Sequence, residues 1–236
     1  EFRTHQVQIG SMGRFVPPPP SYIQGLMHNL DETINNRPQD LDPLVFAFLV
    51  HYQFETIHPF EDGNGRVGRA LLSLMICSVL GHSMPWLYLS PFFEKFKEEY
   101  VQALFNVSAK GDWDGWIEFC LNGTMKQATD SIIRCKKFKD LQRKYHDLKM
   151  EHSSRTHAII DGLFDSPVLT IAYLALKMEI RYPTAQRDVM RLVDAGILVE
   201  IPDCHPRSFY APEIMSVAHD FQLMDHTSEP SPQPET

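Results

Sequence analysis

Between Asp42 and His58 polar positions almost vanish: Leu44-Val45-Phe46-Ala47-Phe48-Leu49-Val50 runs on to Ile57 with few breaks. A helix that is apolar on nearly all sides belongs at the centre of a domain. Asp42-Pro43 supplies its N-cap with proline at the first helical position. Pro59 pushes His58 out of the α region and ends it. Periodicity predicts further helices over 21–36, from Arg66 to Leu80 with a stop at Gly81, and over 91–107, 113–130 and 131–150. The last carries Phe138, Leu141, Tyr145 and Leu148 at three- and four-residue spacing, with Lys and Arg over its other face. That pattern predicts a solvated connector.

The opening Phe2-Arg3-Thr4-His5-Gln6-Val7-Gln8-Ile9-Gly10 alternates like a strand and stops at glycine, so a short hairpin is expected over 2–13. Pro17 to Pro20 read as a stiff spacer into the next helix rather than as a ligand for an SH3-type domain. From 156 the pattern changes: helices are expected over 157–164, 168–176 and 184–195, then a strand Ile197–Ile201 and another near Ser208–Ala211. This order suggests a small winged-helix module over 156–215, and the proline-rich end, 222–236, reads as a disordered tail. The predicted class is mainly α: a helical bundle over 1–150, with core helices within 42–130, followed by the small module.

Composition narrows the partners. Of 236 residues 43% are hydrophobic and 22% charged, enough for a real core, and the formal charge of −8 disfavours a general nucleic-acid coat. The predicted C-terminal module argues the same way, with six Lys/Arg against nine Asp/Glu over 151–213. Although Arg181, Gln186, Arg187 and Arg191 could reach a groove, a docking or dimer module is favoured over a DNA reader. Cys77, Cys120, Cys135 and Cys204 form no C-x-x-C pair, so a reduced, cytoplasmic protein without a zinc site is expected. No apolar run reaches the length of a membrane span, and no signal peptide is evident.

The chemistry sits in His58-Pro59-Phe60-Glu61-Asp62-Gly63-Asn64-Gly65-Arg66-Val67-Gly68-Arg69. A glycine-rich loop opening a helix aims free backbone N–H groups and the positive end of the helix dipole at one spot. Gly63 and Gly65 allow close approach of a ligand. Arg66 and Arg69, three apart, offer forked guanidinium groups to phosphate oxygens. Asp62 is a hard oxygen ligand suited to Mg²⁺ held together with phosphates, Asn64 a donor to a phosphoryl oxygen, and His58 a base near neutral pH. The segment is neither a Walker A loop nor a Rossmann fingerprint, since G-x-x-x-x-G-K-[ST] is absent and a helix precedes it.

The same segment resembles the Fic family signature H-x-F-x-[DE]-G-N-G-R-x-x-R at every position. The likeness extends to the opening hairpin, to His51-Tyr52-Gln53-Phe54-Glu55-Thr56-Ile57, to Leu87-Tyr88-Leu89-Ser90, to Gly111-Asp112-Trp113 and to the downstream module, about 1–215 in all. The resemblance implies a Fic-type bundle with a hairpin flap and a protein AMP transferase using ATP and Mg²⁺, with UMP-type donors as the alternative and self-modification expected.

On that likeness His58 is the base acting on a Ser, Thr or Tyr hydroxyl of a target protein. Asp62 holds Mg²⁺, Asn64 with the backbone of Gly63 and Gly65 forms the anion hole, and Arg66 and Arg69 grip the leaving phosphates. Phe60 anchors the loop, and the stretch through Val67 and Gly68 completes the nucleotide site. Val7, Gln8, Ile9 and Gly10 cover the nucleotide and dock the target by strand addition, while Tyr100 is a candidate for the adenine pocket. Gly65 stands where the Doc-like phosphotransferase branch carries lysine, which favours AMP over phosphate transfer. An inhibitory [ST]-x-x-x-E-[GN] helix is not found, because Ser90 and Glu94 are followed by Lys95; such a helix is expected to have been lost upstream.

Overall fold

The computed structural model describes residues 1–10, 15–81, 83–85, 87–148 and 154–219. The predicted tail and the hairpin tip, residues 11–14, lie outside them. The chain divides into two compact units, Glu1–Ser131 and Ile132–Thr236.

The first unit holds α1 (Pro20–Asn35), α2 (Pro43–Ile57), α3 (Asn64–Val79), α4 (Ser90–Lys95), α5 (Lys97–Lys110) and the beginning of α6 (Trp113–Asp147). Helix α2 is its centre. Phe46, Ala47, Phe48, Val50, His51, Tyr52, Phe54 and Ile57 are all buried, as its unbroken apolar run requires. The Asp42 carboxylate accepts from the amides of Leu44 at 2.8 Å and Val45 at 3.2 Å, satisfying two donors of the first turn. Fully buried Trp116 donates its indole N–H to the Phe48 carbonyl at 3.2 Å, tying α6 to α2.

The first unit departs from the sequence reading in three places. The predicted helix over 91–107 is broken at Phe96 (φ −107°, ψ 45°), which ends α4 and opens α5. The helices expected over 113–130 and 131–150 are one, because no glycine or proline interrupts the chain between Thr124 and Asp147. Of the expected hairpin, the described residues show an antiparallel bridge between Ile9 and Phe15.

The second unit holds the rest of α6, then α7 (Ser154–Asp165), β1 (Val168–Thr170), α8 (Ile171–Lys177), α9 (Tyr182–Asp194), β2 (Val199–Ile201), β3 (Ser208–Tyr210) and α10 (Pro212–His219). The strands form an antiparallel sheet in the order β1-β3-β2, with Tyr210 opposite both Val168 and Val199. Residues Ile160, Leu163, Val189, Leu192 and Phe209 fill the core. The expected solvated connector is not one: Leu141 and Tyr145 are buried in this core, and Phe138 and Leu148 pack against it. Residues 132–147 therefore belong to the C-terminal unit. Strand β1 was too short to read from alternation, and Thr170 at its end turns the chain by accepting from the Tyr173 amide at 3.1 Å.

Two helical glycines test this packing with opposite signs. A Cβ at Gly123 would lie 2.5 Å from Phe92 Cδ1, whereas one at Gly25 would meet nothing within 4 Å. Gly123→Ala should lose about 1–3 kcal/mol and Gly25→Ala gain about 0.5–1 kcal/mol, both read from urea unfolding midpoints.

Candidate active site

The loop between α2 and α3 is held from both sides. His58 ends α2 in the left-handed region (φ 51°, ψ 61°), with its amide bonded to the Phe54 carbonyl at 3.0 Å. Arg3 donates from Nε to the His58 carbonyl at 2.9 Å, and its own amide donates to the Pro59 carbonyl at 2.9 Å. Its remaining nitrogens reach the carbonyls of His5 and Pro18. The Phe60 ring packs near Phe54 and Phe2, anchoring the loop in the core.

Asn64 is 2% exposed and spends its amide on the loop: Oδ1 accepts from the Phe60 amide and Nδ2 donates to the Phe60 carbonyl, both at 2.8 Å. The side chain expected at a phosphoryl oxygen is thus a brace. Gly63 (φ 83°) precedes α3, and no side chain caps that helix. The first-turn amides of α3 have no intrahelical acceptor, so the helix start is open to an anion.

His58 keeps one ring nitrogen able to take up a proton. A carbonyl only accepts, so its contact from Nδ1 to the Glu55 carbonyl, at 3.3 Å, places the proton on Nδ1 and leaves the Nε2 lone pair available. Burial lowers its pKa, the Glu55 carbonyl raises it, and the nearby Arg3 charge lowers it again; the net direction is down. The imidazole is neutral at pH 7.

The two arginines differ. Arg66 Nη2 lies 2.9 Å from Asp62 Oδ2 in an exposed i,i+4 pair that opens at little cost. Arg69 leans back over Gly65, where a Cβ would stand 3.0 Å from its Nη1, and it has no carboxylate partner among the described residues. Gly68, one turn after Gly65, faces α2. A Cβ there would overlap Glu55 Oε1 and come within 3.0 Å of Phe54 Cδ1.

A cavity of about 150 Å³ lies beside His58, lined by Ile9, Gly10, Glu55, Tyr100, Leu104 and Ser108 among others. Ile9 is held over it by paired bonds with Phe15, at 2.9 and 3.1 Å. Val7 and Gln8 do not line it, and Tyr100 presents mainly ring, since its hydroxyl bonds His51 Nε2 at 2.9 Å. Asp62 and Val67 line a second recess, with Glu1, Phe2, Thr4, Phe60 and Glu61. The candidate base and the candidate metal ligand therefore face different recesses of the motif loop. No group of three or more His, Cys, Asp or Glu that could hold a metal by itself occurs among the described residues.

Sequence reasoning missed three residues. Arg3 looked like an alternating strand residue, His51 and Glu55 like breaks in an apolar helix. His51 donates from Nδ1 to the Gly68 carbonyl at 3.0 Å and accepts from Tyr100, joining α2, α3 and α5; burial lowers its pKa to about 4. Glu55 is one helical turn before His58, and that i,i+3 spacing was the available signal.

Known proteins resemble this chain over the same region. The Fic/DOC family profile matches residues 1–76. A protein adenylyltransferase Fic of Drosophila willistoni is 39% identical over 77 residues, 32% of this chain and 15% of that protein. The protein adenylyltransferase fic-1 of Caenorhabditis elegans is 37% identical over 142 residues, 56% of this chain and 26% of that protein. The chain thus spans about a quarter or less of these curated relatives. A crystal structure of a Fic family protein from Desulfovibrio desulfuricans G20 shares the fold, with a TM-score of 0.51, 21% identity, and coverage of 89% of this chain and 62% of that one.

NMR titration of the imidazoles should find His58 protonating below the usual histidine value of about 6.5 and His51 near about 4. Arg3→Met should move the His58 midpoint upward, since it removes a cation. An unchanged or lowered midpoint would contradict the assigned influence of Arg3.

Proposed function

We propose, from the match of residues 1–76 to the Fic/DOC family profile, that this chain transfers AMP from Mg·ATP to a hydroxyl side chain of a target protein and releases pyrophosphate. The observation that carries the reading is a neutral His58 with Nε2 available, beside a cavity under Ile9 and next to an uncapped helix start bearing Arg66 and Arg69. The name protein adenylyltransferase borne by the curated relatives supports AMP as the group moved.

In this reading the target hydroxyl gives its proton to His58 Nε2 as its oxygen bonds to the α-phosphorus, and the bond from that phosphorus to the bridging oxygen breaks. The first-turn amides of α3 hold the oxygens on which charge develops. Arg66 and Arg69 hold the β- and γ-phosphates. The donor set fits Mg²⁺ shared with phosphates, for which one or two carboxylates suffice, and exposed Asp62 can exchange Arg66 for the ion. The ion supplies charge neutralisation on the phosphates. The apolar cavity with the Tyr100 ring suits the adenine, and Val7 to Gly10 offer backbone for a target segment.

The element order α7-β1-α8-α9-β2-β3 supports reading the C-terminal unit as a winged helix. It suits docking or self-association better than DNA binding. Within α9, Asp188 is buried and bonded to Arg155, and Arg191 lies 3.8 Å from Asp188, so cations here are partly neutralised.

Incubation with ATP labelled at the α- or the γ-phosphate, with source lysate as acceptor, tests the reading. Protein-bound label is expected from the α position alone; label from γ would indicate a phosphotransferase. His58→Ala should cut transfer by about 10²–10⁴-fold while ATP affinity, measured by calorimetry, holds.

A further inference from the structure

The mechanism above leaves Glu55 unused, yet its placement is unusual. Its Oε1 is shut off from solvent and has no hydrogen-bond partner. The carboxyl occupies the space that Gly68 leaves open on α3. Burying an unpaired carboxylate is costly, and burial pushes its pKa up to about 7, opposed by the charge of Arg69.

The titratable groups around Glu55 come from three helices. Helix α2 brings His51, neutral at pH 7, and His58; α5 brings Tyr100, whose own pKa the Glu55 charge helps to raise; α3 brings Arg69. Arg69 is the permanent charge of this set, and its guanidinium is the group left free for a phosphate. We propose that Glu55 is a positioning residue acting on the nucleotide through Arg69: its carboxyl, lodged against Gly68, sets the charge that Arg69 presents to the polyphosphate. This rests on the reading that Arg69 holds β- and γ-phosphates.

The sign follows from linkage. Without nucleotide, Arg69 favours the ionised carboxyl. Phosphates on Arg69 cancel that pull and add negative charge, so the bound-state pKa of Glu55 is higher than the free-state value. Binding therefore takes up a proton between the two values. Affinity is greatest below the free pKa, declines above it, and levels off beyond the bound pKa.

Calorimetry of the whole chain with Mg²⁺ and a non-hydrolysable ATP analogue, in buffers of different ionisation enthalpy at pH 7.5, reads this proton directly. The wild type should take up more protons than Glu55→Gln, which cancels contributions from the nucleotide and His58. Glu55→Gln should bind severalfold tighter than wild type at pH 8.5 and equally at pH 6. With AMP, which lacks the outer phosphates, the two should not differ at any pH. In an Arg69→Gln background the effect of Glu55→Gln should vanish. Equal proton counts and parallel pH profiles would overturn the proposal, as would a Glu55 effect that persists with AMP. If Glu55→Gln does not fold, the comparison of wild type with Arg69→Gln decides: loss of uptake supports the proposal and its retention overturns it. A wild type that binds no ATP analogue overturns the nucleotide reading itself, a result distinct from tight binding without Glu55-linked protons.

Discussion

The spacing between α2 and α3 is set at Gly68, where the missing side chain leaves room for Phe54 and Glu55 while the backbone carbonyl accepts from buried His51. Because His58 caps the end of α2 and α3 begins at Asn64, this contact fixes the His58 imidazole relative to the helix start. A larger residue at 68 would have to part the two helices or displace a core ring. The six-residue loop between them, 58–63, then has little freedom, and Asn64 and Arg3 remove most of it by bonding its backbone. Such rigid placement suits the proposed AMP transfer, since positioning and electrostatics account for most of the catalysis in phosphoryl transfer.

Charge in the site is arranged around that frame. Burial, helped by Arg3 beside it, lowers the His58 pKa and favours the neutral imidazole. Arg66 is parked on Asp62 at the surface, where the pair is weak enough to exchange. Arg69 leans over the uncapped helix start with Glu55 behind it. Open amides beside Arg69, with Arg66 held only in a weak surface pair, leave the site poised for an anion, and Gly65 supplies the room for Arg69 to lie there.

Much of this was legible in the sequence. The apolar run 44–57 announced a central helix, Pro59 its end, and the glycine-punctuated segment the helix start with its arginines. What escaped notice depended on distant partners. Asn64 reads as a ligand donor until the Phe60 backbone is seen to use both ends of its amide. Arg3 gains meaning only when the chain from residue 58 is folded against it. Leu141 and Tyr145 show helical spacing, but spacing alone does not tell a solvated stripe from a buried one, and the second core decides it. Strand β1, three residues long, is made by its pairing with β3 rather than by its own pattern.

The central claim is that the junction of His58 with the start of α3 receives the phosphates of a nucleotide. Amide hydrogen exchange measured with and without Mg·ATP addresses it residue by residue. Slowed exchange is expected at Asn64, Gly65 and Arg66 and at Ile9 and Gly10, with no change across β1, β2 and β3. Saturating nucleotide that leaves the amides of 64–66 unprotected would contradict the claim.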